Sequence, residues 1–82
     1  MSEVKSVRTI REYGRIVLSL DKLMDERKIT RNKLAKLIDV RFEVVDRFYE
    51  GSLERLDLDI LAKICFVLDC NVCDLVSYKA PE

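Results

Sequence analysis

Apolar residues recur three and four positions apart through most of the chain, and this spacing predicts amphipathic helices. The clearest example lies in the second half, at Leu58, Leu61, Ile64, Cys65 and Leu68. Only two glycines and one proline interrupt the 82 residues, and no long strand-like alternation is present. The pattern therefore predicts an all-α fold in which helices are joined by tight turns.

Five helices can be placed along the chain. The first three are predicted over residues 18–28, 31–38 and 42–49, the fourth begins at residue 58, and a short fifth contains Leu75. Side chains suited to ending a helix stand at the expected positions, since Ser, Thr, Asp and Asn favour N-caps and Gly favours C-caps. These residues are Thr30, Asp57 and Asn71 as N-caps and Gly51 as a C-cap, with Asp74 completing a capping box with Asn71.

The segment before the first helix is ambiguous. Ile16 and Leu18 alternate with polar neighbours as they would in a strand. Further upstream an apolar residue recurs every third position, from Val4 to Tyr13, interleaved with Lys and Arg. This stretch fits an extra helix, a strand or a basic arm. We therefore divide the chain into an N-terminal extension (1–14), a helical domain (15–79) and a tail (80–82).

The second and third helices have the spacing of a helix-turn-helix. Their predicted inward residues are Leu34, Ala35, Ile38, Val40, Val45 and Phe48. The small Ala35 stands where the two helices cross most closely, and a larger side chain there would push them apart. Such packing fixes one helix across the other, so that the third can enter a DNA major groove ~12 Å wide.

Charge is distributed unevenly although the net charge is zero. Residues 1–36 contain ten Lys/Arg and five Asp/Glu, whereas residues 37–82 contain five and ten. The asymmetry can create a local positive surface on a neutral protein, or it can be an ordinary solvated face. One stretch of the sequence, residues 27–36, contains five basic residues and no acidic residue. The five are Arg27, Lys28, Arg31, Lys33 and Lys36.

Several classes of function are disfavoured. No apolar run approaches the ~20 residues of a membrane span, and no signal-peptide pattern is present, so we expect a cytoplasmic protein without membrane association. Cys65, Cys70 and Cys73 are too few for a four-ligand zinc site without histidine, and their odd number argues against a disulfide framework. We expect Cys65 and Cys70 to pack inside. We also expect no metal or other cofactor, and no catalysis, because no nucleophile–base pair is suggested by spacing.

Two stretches carry a family resemblance. Residues 23–51 read LMDERKITRNKLAKLIDVRFEVVDRFYEG, and residues 56–75 read LDLDILAKICFVLDCNVCDL. Together they resemble the Cro/phage-repressor helix-turn-helix family over about residues 16–79. The resemblance implies a five-helix repressor-like domain that binds double-stranded DNA, often as a homodimer.

The resemblance also implies roles for individual residues. Base contacts are expected from the start and first turns of the third helix, at Arg41, Phe42, Glu43 and Arg47. Phosphate contacts are expected from Thr30, Arg31, Lys33, Ser52 and Arg55.

Some residues depart from the family pattern. Arg31 stands where Gln is usual, Asp39 replaces a turn Gly, and Arg41 replaces a Ser or Thr cap. Glu43, Asp46 and Glu50 place acids on or near the helix that would meet phosphates. Glu43 and Arg47 can equally form an i, i+4 surface pair with no role in binding.

These observations lead to one main functional hypothesis and one alternative. The first is a sequence-specific transcriptional regulator, most simply a repressor, that binds an inverted-repeat operator as a homodimer. Phe66 lies off the apolar face of the fourth helix and, with Ala62 and Val67, is a candidate dimer interface or a seat for the N-terminal segment. The alternative is a protein–protein module, an antitoxin or anti-repressor, that reuses the fold.

Overall fold

The computed structural model describes residues 6–8 and 12–81. Five helices lie in this part of the chain, and none of them is long and apolar enough to cross a membrane. Their bounds are α1 Leu20–Arg27, α2 Arg31–Leu37, α3 Phe42–Glu50, α4 Leu58–Leu68 and α5 Val72–Leu75.

The expectation of an all-α fold is wrong, because two short strands flank the helices. Strand β1 covers Arg15–Leu18 and strand β2 covers Val76–Lys79, and they pair antiparallel with Ile16 opposite Tyr78 and Leu18 opposite Val76. The first helix consequently begins at Leu20, two residues later than predicted. The alternation at Ile16 and Leu18 is the signal of a strand, and β2 supplies the backbone partner that a strand needs.

One face of this β1–β2 ribbon is apolar and extends from the core to the protein surface. Leu18 and Val76 pack against the helices, while Ile16 and Tyr78, next along the same face, are each 59% exposed. The Tyr78 hydroxyl donates to the Tyr13 carbonyl at 2.6 Å. Gly14 has φ +85°, and a Cβ there would collide with the Lys79 carbonyl oxygen. Glycine is therefore required where the chain enters the ribbon.

The residues upstream of the ribbon belong to the predicted N-terminal extension. Val7 and Arg8 are exposed, and Tyr13 is also exposed. Val4, Lys5, Ile10 and Arg11, on which the three alternatives for this segment rest, lie outside the described residues.

The core is formed by apolar side chains from all five helices. Leu20, Leu34, Val45 and Ile64 are almost completely buried, and Leu75 anchors α5. Every inward residue predicted for α2 and α3 is buried or packs against this core, which confirms that part of the sequence interpretation. The strictly helical spacing of these residues is what places them on one face of each helix.

Helix ends follow the predicted capping chemistry. The Thr30 hydroxyl accepts from the Lys33 amide at 3.1 Å, and the Asp57 carboxylate accepts from the amides of Asp59 and Ile60. Gly51 closes α3 in the left-handed conformation, with φ 73°. Asp74 accepts from the Asn71 amide at 2.9 Å, which is the reciprocal half of a capping box. These local bonds satisfy backbone groups that a helix end leaves without partners.

Candidate nucleic-acid interface

The turn between α2 and α3 sets the direction of the third helix. Asp39 takes the left-handed conformation, with φ 57°, and the Val40 amide donates to the Ala35 carbonyl at 3.0 Å. Asp in this conformation is less costly than most residues because its short polar side chain is tolerated there. Ala35 is buried, consistent with its expected position at the crossing of the helices. The result is a compact helix-turn-helix in which α3 is held against α2.

Helix α3 is amphipathic, with Val45 and Phe48 buried and the opposite side exposed. Its N-terminal half lines an open surface groove together with the residue that precedes the helix. This exposed α3 face consists of Arg41, Phe42, Glu43 and Arg47, with Val44 at its edge.

Glu43 and Arg47 do not form the surface pair that was the alternative to a role in DNA binding. Within the described residues, neither side chain has an ion pair or hydrogen bond, and the same holds for Arg41. Two cations and one anion on the exposed α3 face are therefore free to interact with another molecule.

Arg31, at the start of α2, is engaged within the protein. Its guanidinium donates through Nη1 to a carboxylate oxygen of Asp46 on α3. The same guanidinium lies over the ring of Tyr49, 4.7 Å from its centroid, and 5.7 Å from that of Phe42. One of the three acids on or near the helix expected to meet phosphates is thus paired internally, and Arg31 links the two helices.

A family comparison matches this helix-turn-helix region and its flanks. The model that matches describes a Cro/C1-type HTH DNA-binding domain, and it covers residues 19–81. The chain belongs to the Cro/C1-type helix-turn-helix DNA-binding family. The resemblance seen in the sequence is confirmed, and the matched range includes α1 to α5 and β2. No curated protein sequence matches the chain significantly.

Two solved structures share the fold of this Cro/C1-type domain. A candidate DNA-binding protein from Bacteroides fragilis superposes with a TM-score of 0.69 at 17% identity, covering 77% of this chain and 100% of that one. The transcriptional regulator VanUg superposes with a TM-score of 0.68 at 20% identity, covering 99% of this chain and 100% of that one. At these identities the likeness establishes the fold.

The expected phosphate-contacting residues of the Cro/C1-type domain lie at the N-terminal end of α2 and after α3. The Thr30 hydroxyl caps α2, and Lys33 is exposed one turn further along. Ser52 and Arg55 are exposed in the connection between α3 and α4. Except for Arg31, the basic members of this set, Lys33 and Arg55, have no ion pair within the described part of the chain.

The basic stretch 27–36 is less available than its sequence suggested. Arg27 donates from Nε to the Leu68 carbonyl at 3.1 Å, so it caps the last turn of α4, where a cation is favoured by the helix dipole. With Arg31 bound to Asp46, the side chains of this stretch that remain exposed and without partners among the described residues are Lys28, Lys33 and Lys36.

A largely apolar surface groove lies between α2 and α4. We call it the α2–α4 groove, and it brings together the three residues expected at a dimer interface with the exposed Leu37. Phe66, at the edge of the groove, is 87% exposed. The residues that line it are Leu37, Ile38, Asp39, Ala62, Lys63, Phe66 and Val67.

Sequence reasoning missed the contact between Arg31 and Asp46 and the roles of Tyr49 and Phe42 in it. The available signal was a spacing: Phe42, Asp46 and Tyr49 recur at four and three positions, which places them on one side of α3. Because that side is next to the N-terminus of α2 in a helix-turn-helix, an arginine at position 31 was a natural partner.

The three cysteines surround the junction of α4 and α5. Cys65 and Cys70 are half-buried and packed against the core, as expected, and Cys73 is exposed. In the described part of the chain no group of three or more Cys, His, Asp or Glu residues is arranged to hold a metal ion. The absence of a bound metal remains a prediction.

Folding stability should depend on the protonation of Cys70. Burial, and secondarily the adjacent Cys65 thiol, raise the pKa of the Cys70 thiol from 9.0 to about 11. The folded state then holds this proton more tightly than the unfolded chain, so the stabilisation is complete below about pH 9 and is lost as pH rises through about 11. Denaturation under reducing conditions should show wild type losing more stability than Cys70→Ala between these pH values.

Cys73→Ala is the matched control for this measurement. Its thiol is exposed, so this variant should follow wild type. Parallel losses in wild type and Cys70→Ala would contradict the assignment.

Proposed function

We propose that this Cro/C1-type domain is a sequence-specific DNA-binding transcriptional regulator that inserts α3 into the major groove. The observation that carries the proposal is the exposed α3 face, where Arg41, Glu43 and Arg47 have no partners among the described residues while Val45 and Phe48 fix the helix from behind. Arginine binds guanine edges in a bidentate manner, Glu accepts from cytosine amino groups, and Phe42 suits a thymine methyl.

Phosphate contacts would orient the domain on the duplex. Thr30, Lys33, Ser52 and Arg55 are exposed at both sides of the helix-turn-helix, and Arg31 stands at the α2 N-terminus, where the helix dipole favours anions. Such contacts supply affinity without sequence information. Repression would then be steric, with the occupied operator excluding polymerase and no chemical step performed by the protein.

The test of this proposal is selection of bound sequences from a random duplex pool. We expect enrichment of a short motif whose two halves are related by inversion. Affinity for that motif should fall steeply with salt, because phosphate neutralisation releases counterions. Absence of any enriched sequence, together with no duplex binding at ~50 mM salt, would overturn the proposal.

A homodimer is proposed as the operator-binding form. Phe66 projects beside the α2–α4 groove, so a two-fold arrangement can place the Phe66 of each copy against the groove of the other. The groove also carries Asp39 and Lys63, and Lys63 is paired with Asp59 at 3.3 Å. A ring this exposed on a small domain is typical of an interaction surface.

Phe66→Glu should therefore shift the protein from dimer to monomer in sedimentation at micromolar concentration. A carboxylate in place of the ring loses the apolar contact with the groove and has to give up hydration on association. Leu58→Glu is the matched control, because Leu58 is exposed on the same helix outside the groove and should leave the dimer intact. A monomeric wild type at high concentration would refute the interface.

A protein-binding module is the second candidate function. Glu43 and Glu50 are exposed on α3 and have no partner within the described residues, and acids there repel phosphates. An antitoxin or anti-repressor would use them to meet a basic protein surface. Failure of the duplex selection, with α3 substitutions that abolish a protein complex, would favour this function.

A further inference from the structure

Arg31 and three α3 side chains form a single cluster, which we call the Arg31 cradle. Asp46 accepts from the guanidinium, and the rings of Tyr49 and Phe42 lie beside it at 4.7 and 5.7 Å. Tyr49 and Asp46 are half-buried, so the cradle is built into the contact between α2 and α3 rather than formed by two mobile surface side chains.

The contact with Asp46 uses only a small part of the hydrogen-bonding capacity of the Arg31 guanidinium. Arginine has five N–H donors in one plane, and the structure records a single hydrogen bond from Nη1. The Arg31 side chain is 40% exposed and that of Asp46 is 31% exposed. An anion can therefore bind the remaining donors without displacing the carboxylate.

Rings beneath a guanidinium restrict its orientation as well as attracting it. A free arginine loses considerable rotamer freedom when it binds an anion, and one that is already held loses less. A half-exposed ion pair adds little to folding stability by itself. The cradle is thus better suited to orienting Arg31 than to stabilising the fold.

We propose that Asp46, with Tyr49, is a positioning residue for DNA binding: it holds Arg31 so that its unused donors receive a backbone phosphate. The inference rests on the proposed function. The proposed effect of Asp46 on DNA affinity is opposite to that expected of an acid. A carboxylate alone repels phosphates, whereas Asp46 would increase the affinity by holding Arg31.

The test is a double-mutant cycle between Asp46→Ala and Arg31→Ala, using the selected duplex and a salt series. Asp46→Ala should weaken binding roughly tenfold, the size expected for one lost charge-assisted hydrogen bond. It should also flatten the salt slope of log affinity by about 0.9, as for one lost phosphate contact. In the Arg31→Ala background, removing Asp46 should produce no further loss.

Glu50→Ala is the matched control. Glu50 is an exposed acid on the same helix without contact to Arg31, so its removal measures the bare effect of losing a negative charge near DNA and should tighten binding. Asp46→Asn retains one acceptor and should lose less affinity than Asp46→Ala. Tyr49→Leu keeps apolar volume, removes the ring, and should also weaken binding only when Arg31 is present.

Two results would overturn the inference. If Asp46→Ala tightens binding as Glu50→Ala does, Asp46 either repels DNA or competes with the phosphate for Arg31. If it weakens binding equally with and without Arg31, its role is structural. Should Asp46→Ala fail to fold, judged by its melting temperature, Tyr49→Leu and Asp46→Asn decide by the same criteria. A wild type that binds no duplex overturns the DNA function itself, whereas normal binding without coupling overturns the cradle alone.

Discussion

Phe48→Ala should lower the free energy of unfolding by about 3–5 kcal/mol. Phe48 is 4% exposed and belongs to the core between the helix-turn-helix and the rest of the domain. Truncation removes the burial energy of the ring and leaves a cavity that the surrounding helices fill only in part. A chain of this length has a total stability of roughly 4–12 kcal/mol, so a large share of its stability would be lost.

Urea denaturation followed by helical signal measures this loss, and Phe66→Ala is the control. The same ring is deleted there from a position that is 87% exposed, and the expected change is within about 0.5 kcal/mol. Both variants should be compared at low protein concentration, where association contributes little to stability. Equal losses at the two positions would contradict the burial of Phe48 in the core.

Arg47→Ala should reduce affinity for the selected duplex by ~1–3 kcal/mol and relax the preference at one position of the half-site. Arg47 is exposed one turn along α3 and has no internal partner within the described residues, so its donors are available for a base edge. Because base contacts carry the sequence information, loss of this side chain should affect the selected duplex more than a random one.

Lys33→Ala is the matched comparison for Arg47→Ala. Lys33 is also exposed, and its side chain has no partner in the described part of the chain, but it lies on α2, where a phosphate contact is expected. Its loss should weaken all duplexes alike and flatten the salt slope by about 0.9. If Arg47→Ala also weakens all duplexes alike and flattens the salt slope, Arg47 contacts the DNA backbone. The expected base contacts would then be those of Arg41, Phe42 and Glu43.

The helices could be predicted from the sequence because their signals are local. Thr30, Asp57 and Gly51 act on backbone groups within a few residues, and the apolar spacing of α2 and α3 is complete within twenty positions. The exposure of Glu43 and Arg47 follows from the same local pattern, because both have to point away once Val45 and Phe48 are assigned inward. Their expected role in binding DNA came from the family resemblance.

The remaining features depend on partners that are distant in sequence. Val76 to Lys79 is too short to be recognised as a strand until Arg15 to Leu18 is placed beside it. Arg31 reads as a free cation until the crossing of α2 and α3 brings Asp46 to it. In both cases the deciding interaction is created by the fold, and neither segment contains the information alone.

The pairing of β1 with β2 also has a kinetic consequence. Residues 19–75 lie between the two strands, so the ribbon can form only when the chain has closed a loop that contains most of its residues. That closure carries an entropic cost, whereas the turn between α2 and α3 requires almost none. The helix-turn-helix should consequently be assembled before the ribbon, and substitutions at Ile16 or Tyr78 should accelerate unfolding while leaving the refolding rate nearly unchanged. The helix-turn-helix would then be the part of the domain that folds first and unfolds last.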